Sequence, residues 1–263
     1  MQRSTVASLL RTTQAFCSQL CEKETLQYGI AYYSHHFAAL PEANQFREVC
    51  VDDPARIEQA YREAEQAFAR QDLFCYRWAP AADRTIDGLE GFLAGQGFRP
   101  RRFTALTLVR WVDLQADTRV RVVPARAARA AFRETFFLTL EATGSAAAHE
   151  MTAEAYGQRL DDPQMDMFVA LVDQAPAGRC ALFQVGDIGR IMDLSATQSV
   201  VDNAVRRTLL AHVLALAKRL LMRNICVQID GGVDPAEQAW WEAAGFVPDG
   251  TIVEFEREFP GRV

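Results

Sequence analysis

Carboxylates set among apolar neighbours are the residues here best suited to chemistry. Asp193 stands in Ile191-Met192-Asp193-Leu194. A carboxylate buried in such company either serves as a general base near neutral pH or is held in a structural ion pair. Glu141, closing the helical run 126–141, and Asp230, following the apolar run 225–229, are the other acids placed at element ends. His149 and Glu150 fall in an expected loop, where pocket-shaping side chains are common, although a lone loop histidine is ordinarily solvated. His35 and His36 are adjacent, and neighbours on a strand point to opposite faces, a poor arrangement for joint metal ligation. His212 falls inside a long helical run as packing.

Other chemistries find no footing. The six cysteines lack the paired spacing of a zinc site and the density of a disulfide framework, which predicts reduced thiols, a cytoplasmic setting and no metal. There is no P-loop, no G-x-S-x-G, no HExxH and no nucleophile triad. A formal charge of −6 argues against a nucleic-acid partner, because phosphate neutralisation requires a basic face. No apolar run reaches the roughly 20 residues that span a bilayer, so no membrane partner is expected. The first 21 residues contain no acids and carry Arg3 and Arg11 with several Ser and Thr, a transit-peptide composition. Yet Val6, Leu9, Leu10, Thr13, Phe16 and Leu20 fall at helical spacing, and a helix packed on the body is the preferred reading.

The elements that must position these groups alternate between helix and strand, the pattern of an α/β (α+β) protein with a mixed, mostly antiparallel sheet flanked by helices. In the second half a strand is expected at 119–123, helices at 126–141 and 152–160, and strands at 167–172, 179–185 and 190–196. A helix at 203–222 and a strand at 225–229 follow. The turn-rich stretches 173–178 and 186–189 connect the three central strands as a meander. Helices at 54–70 and 203–222, followed by strands expected at 73–78 and 225–229, precede two further helices that both close on Gly-Phe: Gly97-Phe98 and Gly245-Phe246. A Gly after a helix supplies the left-handed residue that turns the chain back. This shared order reads as a degenerate internal duplication, with halves 1–115 and 116–263 and a boundary near 113–118.

The second half resembles the GNAT superfamily of N-acetyltransferases over about 140 residues. The closest local match is Val227-Gln228-Ile229, then Asp234-Pro235-Ala236, then Ala239-Trp240-Trp241-Glu242-Ala243-Ala244-Gly245-Phe246. Asp234 replaces the usual Asn, and Trp241 replaces the Tyr that often protonates the departing CoA thiolate. The first half is similar, more loosely, to the N-terminal part of tandem members through Tyr33-Ser34-His35-His36-Phe37 and Pro41-Glu42-Ala43-Asn44-Gln45-Phe46. The resemblance implies acetyl-CoA as co-substrate and direct attack by an amine of a small molecule or peptide, in a monomer or homodimer. The acyl group would lie along Leu194, Ala196 and Thr197, with Asp193 or Glu141 accepting the amine proton.

GNAT enzymes hold the CoA pyrophosphate on bare amides at a helix N-terminus, through an Arg/Gln-x-x-Gly-x-Gly/Ala turn. Here the matching residues are Val201-Asp202-Asn203-Ala204-Val205-Arg206, followed by Arg207, without either glycine. Asp202 would repel phosphate. Arg206 and Arg207 could instead pair with it as cations, or Asp202 caps the helix and the arginines form a solvated face. Two functions follow: an acyl-CoA-dependent N-acyltransferase, or a catalytically inactive GNAT-like binding or regulatory module.

Overall fold

A computed structural model describes residues 4–82, 84, 86–139, 146–197, 202–232 and 235–258. In chain order these form α1 (Thr5–Leu20), β1 (Glu22–Leu26), β2 (Gly29–Tyr33), β3 (Gln45–Val49), α2 (Ile57–Arg70), β4 (Arg77–Pro80), α3 (Leu89–Gly95) and β5 (Arg99–Leu108). Then come β6 (Val120–Pro124), α4 (Arg129–Thr139), α5 (Ala146–Gly157), β7 (Met165–Val172), β8 (Ala175–Val185) and β9 (Ile188–Ala196). The chain closes with α6 (Asp202–Arg219), β10 (Asn224–Asp230), α7 (Pro235–Ala243) and β11 (Phe246–Glu256). Glu141 and Val201 lie outside the described residues.

The chain forms two compact units. One, the C-terminal unit, takes the described residues within 1–12, 105–229 and 233–249. The other, the N-terminal unit, takes those within 13–104, 230–232 and 250–263. The chain passes from one to the other at Thr104–Ala105, ahead of the linker read at 113–118. The ends of β5 and β11 are apportioned differently: 105–108 and 246–249 to the C-terminal unit, 99–104 and 250–256 to the N-terminal unit.

In the C-terminal unit the strand order is β6-β7-β8-β9-β10, antiparallel through β9 and parallel from β9 to β10. Successive residues of a strand face opposite ways. Cys180 and Leu182 of β8 therefore meet Val205, Leu209 and Val213 of α6 in the core, while Arg179 faces α4. The β7–β8 turn is tighter than the 173–178 composition suggested. Asp173 and Gln174 alone make it, both with positive φ (50° and 68°), the two-residue geometry that matches strand twist, and β8 begins at Ala175. Gly245, at φ 95°, lies so close to the Arg110 carbonyl that a Cβ would overlap it. Phe246, immediately after, is fully buried.

The N-terminal unit runs β1-β2-β3-β4-β11, antiparallel through β3, parallel from β3 to β4, and antiparallel again from β4 to β11, with Phe255 opposite Trp78. Helix α2 lays Ile57, Ala60, Ala64, Ala67 and Phe68 onto a core of Phe46, Trp78 and Phe98. Three differences from the sequence reading stand out. The β1–β2 hairpin was not foreseen. β4 occupies Arg77–Pro80 instead of 73–78. His35 and His36 lie past β2, not on a strand, in a loop organised by Asn44. The Asn44 side chain accepts from the Ser34 amide (3.1 Å) and donates to the Phe37 carbonyl (2.8 Å).

Candidate functional site where β9 and β10 part

The parallel pairing of β9 with β10 runs from Ile188/Asn224 to Ile191/Val227 and ends there, although β9 continues to Ala196 and β10 to Asp230. A bulge in β9 marks the end of the pairing. Between Ala181/Met192 and Arg179/Ser195, two steps along β8 are matched by three along β9, and Asp193 within that stretch has φ 52°. An extra residue bends its strand and raises the local twist, which carries the end of β9 away from β10 while it stays paired to β8. The widening gap lies at the carboxyl ends of two parallel strands, beside the start of α6, the position where open α/β sheets hold ligands.

The bulge has its own anchor. Both carboxylate oxygens of Asp193 are taken by Arg179: Nη2 donates to Oδ1 (2.9 Å) and Nε donates to Oδ2. Arg179 is almost wholly buried, its guanidinium lies 3.8 Å from the Phe136 ring centroid, and Nη1 donates to the Thr135 carbonyl (2.8 Å). Of the two fates open to Asp193 in the sequence, this is the structural ion pair. Arg179, which sequence reading did not single out, ties α4, β8 and β9 together.

The remaining candidates divide by surroundings. Leu194 and Ala196 are half-buried against the C-terminal core, on the α6 side of the sheet. The Thr197 amide donates to the Ala177 carbonyl (2.9 Å), so that N–H is committed to β8. The Ser195 hydroxyl is buried without a hydrogen-bond partner among the described residues. In α6, Val205 is a fully buried core residue, Ala204 is half-buried, and Asn203 and Arg207 are exposed. Gly178 lets the layers meet: a Cβ there would overlap the Ser195 carbonyl and the Val205 side chain.

Arg206 is engaged on α7. Nη1 donates to Glu237 Oε2 (2.8 Å), Nη2 donates to Oε1, and the guanidinium lies 4.3 Å from the Trp240 ring centroid. The same Glu237 accepts from Trp241 Nε1 (2.9 Å), and Trp241 is buried edge-on against Trp240 and Phe246. Arg207 has no side-chain partner among the described residues, which makes it the open cation of the α6 first turns. The amides of that turn have no intrahelical acceptors and carry the positive end of the helix dipole.

Among the described residues no group of three His, Cys, Asp or Glu side chains is placed to hold a metal, and no helix is long and apolar enough to cross a membrane. All six cysteines are free, and burial pushes the Cys75 and Cys226 thiols up to about 12.

No family model matches this chain, and no curated protein matches it. Solved structures do. A GCN5-related N-acetyltransferase from Kribbella flavida superposes with a TM-score of 0.67 at 13% identity, covering 99% of this chain and 98% of that one. A functionally unknown conserved protein from Staphylococcus epidermidis gives 0.66 at 13%, covering 90% and 94%. A tandem GNAT protein from the clavulanic acid biosynthesis pathway gives 0.52 at 14%, covering 89% and 80%. The chain therefore has the GNAT acetyltransferase fold, a mixed and mostly antiparallel sheet flanked by helices.

Proposed function

We propose that the protein is an acyl-CoA-dependent N-acyltransferase, with acetyl-CoA as the donor and an amine of a small molecule or peptide as the acceptor. The observation that carries this reading is the β9–β10 divergence opening beside the N-terminus of α6. It offers a slot for a thioester and, for its phosphates, a helix N-terminus whose first amides lack intrahelical acceptors. In the C-terminal half, read as the catalytic one, Leu194 and Ala196 flank the acyl chain. The start of α6, Asn203 to Val205 with Val201 ahead of it in the chain, receives the pyrophosphate, and Arg207 supplies a cation where the glycine turn is missing.

The amine nitrogen attacks the thioester carbonyl, the C–S bond breaks, and CoA departs as thiolate. With Asp193 taken up by Arg179, Glu141 is the proposed acceptor of the ammonium proton. Asp193 acts as a positioning residue that fixes the β9 bend. Trp241 offers no acid, but a thiolate with a conjugate-acid pKa of roughly 8.5 leaves without one.

A catalytically inactive binding module is the second reading, favoured by the engagement of Arg206 with Glu237 and of the Thr197 amide with Ala177. Thermal unfolding in acetyl-CoA separates the possibilities, because a ligand held only by the folded state stabilises it by about 2.7 kcal/mol at 100 times its Kd. A raised Tm with both acetyl-CoA and CoA, and release of free thiol on adding an amine panel, supports the transferase. A raised Tm without thiol release supports the module. An unchanged Tm at millimolar ligand removes both as acyl-CoA proteins.

A further inference from the structure

A second cleft, of about 490 Å³, lies in the C-terminal unit where the C-terminal half of α6 passes the starts of β7 and the loop after α5. Its lining residues His212 and Arg219 follow Asp202 by about 15 and 25 Å along α6, so the cleft is separate from the phosphate-facing turn. The volume falls within the range of small-molecule sites.

Its floor is apolar and aromatic. Phe168 lines it with Leu216 on the α6 face of the sheet, and the His212 ring stands edge-to-face on Phe168 at 4.6 Å. Ring faces and edges favour a flat aromatic partner over an aliphatic chain. Burial, and secondarily Arg219, lowers the His212 pKa, which keeps the imidazole neutral and compatible with an aromatic neighbour at physiological pH.

Its charges are unequally committed. The three carboxylates each have a partner: Asp161 accepts from Arg129 (2.7 Å), Asp162 from Arg159 (2.6 Å) and Asp166 from Gln184 (2.9 Å). The two lining cations, Arg126 and Arg219, are exposed and have no side-chain partner among the described residues. A ligand entering the cleft thus finds its acids neutralised or hydrogen-bonded and its guanidiniums open.

We infer that this cleft binds a small aromatic carboxylate, the ring against Phe168, His212 and Leu216 and the carboxylate between Arg126 and Arg219. Calorimetric titration of the full chain with 2-naphthoate tests this, with uncharged 2-naphthamide as control. Saturable naphthoate binding is expected, with the amide at least tenfold weaker. Both arginines are on the surface, so Arg126→Gln and Arg219→Gln leave the fold intact, and each is expected to weaken naphthoate about tenfold. Absence of naphthoate binding, equal affinity for the amide, or parental affinity in the double variant would each overturn the inference.

Discussion

The two units contain the same crossover, built once open and once shut. In the C-terminal unit, β9 carries a bulge at Asp193 (φ 52°), its pairing with β10 ends at Ile191/Val227, and α6 starts beside the gap. In the N-terminal unit, β3 carries a bulge at Glu48 (φ 55°), yet pairing with β4 resumes at Val49/Pro80 and is extended by the Ala81 amide donating to Val49 (3.1 Å). The helical entry differs as well. Asp53 accepts from the Ala55 amide (2.9 Å) and Pro54 has no N–H to offer, so the donors that could face an anion ahead of α2 are spent or missing. The kink alone does not make a site. The strands must stay apart beyond it, as β9 and β10 do past Ile191/Val227.

The comparison can be broken most severely at the ion pairs buried on each side. Arg179→Ala strands the Asp193 carboxylate, whereas Arg47→Ala removes the nearer of two guanidiniums from buried Glu254 (2.8 Å) and leaves it Arg77 Nε at 3.5 Å. Urea denaturation should show a loss of about 3 kcal/mol or more for Arg179→Ala, and a smaller loss for Arg47→Ala because Arg77 remains beside Glu254. A loss below about 1 kcal/mol for Arg179→Ala would show that the β9 bend is held by something else.

Gly178→Ala pushes a methyl into the β9–α6 contact and is expected to cost about 1–3 kcal/mol by the same measurement, while weakening acetyl-CoA. Charge at the two helical entries gives a sharper contrast. Arg207→Glu should lower acetyl-CoA affinity about tenfold in calorimetry. Arg56→Glu, ahead of α2, should leave it unchanged, and equal effects from the two would erase the distinction between open and shut crossovers.

Glu237→Gln releases Arg206 while keeping an acceptor for Trp241. An affinity gain of about threefold, roughly 0.6 kcal/mol, is expected if the freed guanidinium reaches phosphate. Unchanged affinity would confine Arg206 to fastening α7.

The smallest effect concerns α6 itself, which half-buries His212 where α2 has no histidine. Its folded pKa lies below the ordinary 6.5, so the unfolded chain binds the proton more readily. Stability should therefore fall as the pH drops below about 6.5 and be flat with respect to this group above it. His212→Gln should remove that part of the slope.

Local periodicity made the C-terminal unit readable. Helix α6, the meander and the Gly245-Phe246 closure all stand close to where spacing and turn residues put them, because each is specified by neighbours within one element. Partnerships across elements were not readable. Nothing near Asp193 in the chain announces Arg179, fourteen residues earlier on the adjacent strand, and nothing near Arg206 announces Glu237, one helix later. Glu254 likewise gives no local sign that it will be buried against Arg47. The β1–β2 hairpin escaped notice because Glu22–Leu26 alternates charge with little apolar content and its turn, Gln27-Tyr28, carries no glycine or asparagine. The apportioning of β5 and β11 between units is a matter of long-range pairing, which hydrophobic pattern does not encode.

The bulge at Glu48 has a consequence of its own. A left-handed acidic residue stands where the strands pair again immediately beyond it, so its conformation does not depend on the strands parting. It bends β3 just before its last pair with β4, ahead of the chain's passage into α2. The Asp193 bend therefore differs from the Glu48 bend in what its neighbouring strand does beyond it, not in the bend itself.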